Sequence, residues 1–128
     1  MLIVNGTEDI EEFLRVIMNV KDLVEMNLLD TAIDEIDLYF IEKTGTDELL
    51  TDVNVSARGT TLTIRMPEIR KILLMIRYCG MIWNGQKSIL RLHRILGVAV
   101  DHTSATLREA SKRDRINQLS LPKNTKNN

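Results

Sequence analysis

Aromatic residues are scarce, at 4% of 128 residues, so any core must be built mainly from Leu, Ile, Val and Met. There is one cysteine, Cys79, which excludes a disulfide within the chain and fits a reducing compartment. Cys79 lies in an apolar run without the nearby His or second Cys that a nucleophile or metal ligand needs, and it reads as core. The most apolar run, Ile72 to Trp83, is short for a bilayer and is interrupted by Arg77. The opening MLIVNGTEDIEE lacks the basic region and long apolar run of a secretory signal, so a soluble cytoplasmic protein is expected. There is no phosphate-cradling glycine loop, nucleophile elbow or dinucleotide fingerprint, which argues against an enzyme and against a bound cofactor. His93 and His102 have no compact set of carboxylates or thiols around them, so no metal site is expected. Asp34, Glu35 and Asp37 read as the solvated face of a helix.

Apolar residues make up 44% of the chain, ample for a core and too many for a disordered segment. The length predicts a single globular domain over residues 1–116 with a flexible polar tail over 117–128. The net charge of −1 conceals a division. Residues 1–53 hold fourteen Asp or Glu and three Lys or Arg, a net of −11. Residues 54–128 hold four and fourteen, a net of +10. Such asymmetry points either to a polyanion-binding end or to two halves that neutralise each other internally.

Helical spacing of Ile10, Phe13, Leu14, Ile17, Val20 and Val24 predicts an amphipathic helix over about residues 8–26, with Thr7 as its N-cap. Asn27 is expected to cap a second helix carrying Leu29, Ala32, Ile33, Ile36 and Phe40, and Gly45 to stop it. Leu38, Tyr39 and Ile41 blur that pattern, so a strand near residues 36–42 is the alternative there. Thr46 to Leu50 can add one helical turn. Alternation then takes over: Val53 and Val55, then Leu62, Ile64 and Met66, at strand spacing. A two-residue loop at Arg58-Gly59 sets Val55 opposite Leu62, Val53 opposite Ile64 and Asp52 across from Arg65. A lone hairpin is marginal in water, so it must pack on helices or gain a third strand from Met1–Val4. Pro67 suits the first position of a helix over residues 67–83, apolar around most of its circumference and therefore central, with Trp83 as a core anchor.

The stretch Ile89 to Arg115 is expected to form two short helices joined at Gly97. The first buries Ile89, Leu92 and Leu96; the second starts near Asp101 or His102 and is basic. Within it, LGVAVDHTSATLREASKR resembles the turn and second helix of helix-turn-helix regulators, over about one sixth of the chain. Leu96 and Val98 flank Gly97 where that family places buried apolar residues. His93 stands where the family usually has a small residue, and Thr103 and Thr106 stand at positions that are usually aliphatic. The resemblance implies that His102, Ser104 and Ala105, with Arg108, face base edges in the major groove of double-stranded DNA. It implies that Lys112, Arg113 and Arg115 meet phosphates, and that the protein acts as a homodimer on paired half-sites.

The expectation is thus a mostly helical α+β domain: two N-terminal helices, one β-hairpin, a central apolar helix and a C-terminal helix-turn-helix-like pair. Its first functional reading is a small DNA-binding transcriptional regulator. The alternative is a protein–protein interaction module, an adaptor, inhibitor or assembly factor of phage or mobile-element kind. That module would dock on a basic partner through acidic N-terminal helices around Glu11, Glu12, Asp34 and Asp37.

Overall fold

Every third or fourth residue of the first helix is apolar, and that stripe holds the domain together. In the computed structural model, which describes residues 1–45, 50–79 and 85–120, helix α1 spans Thr7–Glu25 and buries Ile10, Phe13, Ile17, Val20 and Val24. Its N-cap is Gly6, with φ of 83°, and not Thr7. Thr7 is the first helical residue, and its hydroxyl donates to the Asp114 carboxylate far along the chain.

Asn27 ends α1 instead of opening the next helix. It adopts a left-handed φ of 59°. Its amide donates to the Val24 carbonyl, and the Leu28 amide donates back to Leu23 at 2.8 Å. These two bonds are the Schellman closure, which satisfies the last carbonyls of α1 and needs a residue that tolerates positive φ. Helix α2, Leu29–Thr44, follows with Leu28 as its N-cap and ends at Gly45, φ 77°, as its sequence predicts. Lys43 near the end of α2 bridges to Glu12 and Asp9 near the start of α1, so the two helices run antiparallel. Between them Tyr39 packs on Phe13 and Phe40, with ring centroids 5.5 and 5.4 Å apart.

Strands β2, Val53–Ala57, and β3, Thr60–Ile64, form the hairpin in the predicted register, Val55 opposite Leu62 and Val53 opposite Ile64. Arg58 and Gly59 both take positive φ, 53° and 79°, as a type I′ turn requires of its two central residues. Strand β1, Leu2–Val4, adds on the far side of β2 as a parallel neighbour, giving the order β1-β2-β3. Leu2, Val4, Val53, Val55, Leu62 and Ile64 line the inner face of this sheet, and Ile3, Asn54, Ser56, Thr61 and Thr63 the outer.

Helix α3 spans Met66–Cys79, with Pro67 at its second position rather than its first. It buries Met66, Ile69, Ile72, Leu73 and Ile76 but leaves Met75 and Tyr78 in solvent. It is therefore one-sided, and it touches α2 and α4 without being the central helix. The last element, α4, is one helix of 36 residues, Gly85–Ser120, roughly 54 Å long at 1.5 Å per residue. It packs on α1, α3 and β2, so that α1, α2, α3 and α4 close a ring in which each helix touches the next. One continuous core runs from Val4 to Ala110 and draws on both the acidic and the basic half. Of the helical turn expected over Thr46 to Leu50, Leu50 is not helical and 46–49 lie outside the described residues, as do the Cys79 side chain, Trp83, expected as an anchor, and the tail beyond residue 120. Asn117 to Leu119, expected in the flexible tail, continue α4.

Candidate functional site

The elbow expected at Gly97 is not formed. Gly97 sits in the middle of α4 without a positive φ, and helix continues on both sides. The reason lies in packing outside the local sequence. Leu92, Leu96, Ala99, Thr103, Thr106 and Ala110 recur at helical spacing straight through Gly97, and all six are buried. A bend there would lift half of that stripe off α1 and β2, and the lost burial exceeds the roughly 1 kcal/mol by which glycine disfavours a helix interior. In place of the C-terminal pair there is therefore a single continuous helix.

The continuous helix redistributes the residues expected at a DNA groove. Ala105, Arg108, Lys112 and Arg115 are exposed and share one side of α4, with half-buried Ser104 at its border. His102 and Arg113 are half-buried beyond the opposite border, and His102 Nε2 is shut from solvent without a hydrogen-bond partner among the described residues. No single face presents His102, Ser104 and Ala105 together. Arg108, Lys112 and Arg115, at i, i+4 and i+7, do form a row, and none of the three has an ion-pair partner among the described residues. Glu109 is turned aside to Arg58 at 3.1 Å, and Asp114 to Thr7.

The acidic half divides in a similar way. Asp37 holds Arg70 through two hydrogen bonds, and Asp30 holds Arg77 at 2.8 Å, so α2 clamps α3. Side-chain hydrogen bonding to these carboxylates pushes both arginines further above their already high range. Glu12 is taken by Lys43, which its carboxylate likewise holds above the usual lysine range. Of the four acids expected at a docking face, Glu12 and Asp37 are thus engaged inside the domain, and Glu11 and Asp34 point outward.

Two apolar residues occupy the same outward side of α2. Leu38 is 53% exposed and Ile41 is 42% exposed. Asp34 lies one turn before Leu38, and Glu42 follows Ile41; neither carboxylate has an ion pair among the described residues. Sequence reasoning passed over this pair, yet its trace was there, because Leu38 and Ile41 are residues that blur the amphipathic pattern of α2. Among the described residues no group of three His, Cys, Asp or Glu could hold a metal ion, and no helix is long and apolar enough to cross a membrane. No protein-family model, curated protein or solved structure matches the chain.

Proposed function

We infer that this chain is a non-enzymatic protein-docking module whose α1–α2 outer side engages a basic partner. The observation that carries this reading is the exposed Leu38–Ile41 pair on α2, framed by carboxylates at Asp34 and Glu42 that have no ion pair among the described residues. An apolar centre with a charged rim is the usual anatomy of a docking surface, and the rim selects the sign of the partner. Glu11 and Asp22 on the exposed side of α1 extend the negative field. The part-buried Asp37–Arg70 and Glu12–Lys43 pairs support the same reading, since they hold α2 against α3 and α1.

The test is affinity capture with the wild-type chain beside a Leu38→Asp/Ile41→Asp variant. Both side chains are exposed, so the variant keeps its fold. A basic protein retained by the wild type, released by moderate salt and lost with the variant supports the docking reading. Equal retention by both chains overturns it.

The row of Arg108, Lys112 and Arg115 favours a second reading, contact with nucleic-acid phosphates along one continuous helix. Phosphate contact fixes position without reading sequence, so it needs no helix-turn-helix elbow. Salt-sensitive retention on heparin that disappears with Arg108→Ala/Lys112→Ala/Arg115→Ala supports that reading. Retention unchanged by the triple variant removes it.

A further inference from the structure

The hairpin leaves one strand edge open beside an apolar groove. Ala57 and Thr60 flank a two-residue type I′ turn, so they form a hydrogen-bonded pair, as do Val55 with Leu62 and Val53 with Ile64 in alternation. Leu62 and Ile64 therefore spend their backbone groups on β2. Thr61 and Thr63, in the intervening pairs, turn their N–H and C=O groups away from β2. No other described backbone group meets them, because β3 is the last strand of the sheet.

Beneath that edge, between β3, the start of α3 and α4, lies a groove of about 280 Å³. Leu62 and Ile64 form one wall, and Ile95, Val98 and Ala99 of α4 the other. Val98 is 55% exposed there. Arg65 and Arg94 stand at the rim with Glu68. Glu68 is held by Arg91 and reaches Arg65 only at 3.9 Å, while Arg94 has no ion-pair partner among the described residues. The rim is thus left positive. The edge itself carries neither a proline nor a charge between Thr60 and Ile64, devices that commonly close a strand edge to other chains.

We propose that this groove binds an extended acidic peptide, which adds to β3 as a fourth, antiparallel strand. Its backbone pairs with Thr61 and Thr63. Every second side chain is apolar and drops between β3 and α4, as the two-residue period of a strand dictates. Its flanking carboxylates meet Arg65 and Arg94. The volume suits one or two aliphatic side chains. A second copy of this chain is the poorer occupant, because edge-to-edge pairing brings two arginine-bearing rims together. This site is separate from the α1–α2 surface, so either can fail without the other.

The probe is a labelled seven-residue peptide with valine at alternate positions, threonine between them and glutamate at both ends; a lysine-ended version is the control. Fluorescence anisotropy measures binding, and amide hydrogen exchange reads Thr61 and Thr63. Saturable binding of the acidic peptide, at least tenfold weaker binding of the lysine version, and slowed exchange at those two amides are expected. Thr63→Pro deletes an outward N–H and leaves the β2 ladder intact, so it should weaken binding at least tenfold. Val98→Glu alters only an exposed groove residue and should do the same, whether or not the proline variant folds. The proposal is overturned by no saturation at millimolar peptide, by equal affinity for both peptides, or by full binding to Val98→Glu. Sedimentation showing a dimer that Val98→Glu abolishes overturns it too, since the edge would then be occupied by a second copy.

Discussion

Arg70 and Asp37 meet side-on across the α2–α3 seam: Nε lies 2.8 Å from one carboxylate oxygen and Nη2 lies 3.1 Å from the other. Both side chains are about two-thirds covered, so this pair is less screened than a surface ion pair. Asp37→Asn is expected to lower stability by about 1 kcal/mol, the scale of a well-formed bidentate pair. The loss should shrink at high salt, and urea denaturation at two salt concentrations measures it. Asp30→Asn, which releases Arg77 from a more exposed contact, should leave the midpoint unmoved. A larger effect at Asp30 than at Asp37 would contradict this ranking.

Gly97 offers a sharper test of the unbroken helix. A Cβ at this position meets nothing within 4 Å, and no positive φ stands in its way. Gly97→Ala should therefore raise stability by up to about 1 kcal/mol, the propensity difference in a helix interior. Thermal unfolding followed by circular dichroism reads it. A fall in Tm would mean that residue 97 bends after all.

Thr103 and Thr106 lie three residues apart on the buried side of α4 and differ in one bond. The Thr106 hydroxyl donates to the His102 carbonyl at 2.8 Å. The Thr103 hydroxyl is buried with no partner among the described residues. An orphaned buried hydroxyl costs about 1–3 kcal/mol, and valine has nearly the same shape. Thr103→Val should stabilise the domain by about 1 kcal/mol, and Thr106→Val should be neutral or slightly destabilising. Equal responses in parallel melts would refute the distinction.

Alkaline unfolding should report on Tyr39. Burial, with help from the carboxylates of Glu12 and Asp9, raises its phenol well above the ordinary range. The fold therefore favours the neutral phenol. That contribution is complete below the unfolded value near 10 and is lost as pH climbs through the folded value. In a Tyr78→Phe chain, which leaves Tyr39 as the sole tyrosine, ultraviolet absorbance should show phenolate appearing together with loss of helical circular dichroism. Phenolate formation near pH 10 in a chain that stays folded would contradict the burial.

The parts of the fold that were legible are those fixed by neighbours in sequence. Val53, Val55, Leu62 and Ile64 alternate about a two-residue turn, and that was enough to give the register. Ile10 to Val24 carry their stripe openly, and Gly45 ends α2 where it should. The errors arose where a distant partner decides. Gly97 resembles a hinge only when α1 and β2 are unknown. Asn27 suits a cap of either kind, and the Leu23 and Val24 carbonyls chose the closing role. Asp37 resembled a solvated acid because nothing nearby in the chain announces Arg70. The candidate surfaces were equally hidden, since an open strand edge at Thr61 and Thr63 exists only once β1 has taken the other side of β2.

Thr7 and Asp114 touch although they lie 107 positions apart in the chain. The Phe13–Tyr39 contact within the first helical hairpin joins residues close in the chain, whereas the α1–α4 seam joins its two ends. Forming that seam closes a long loop, which is costly in chain entropy.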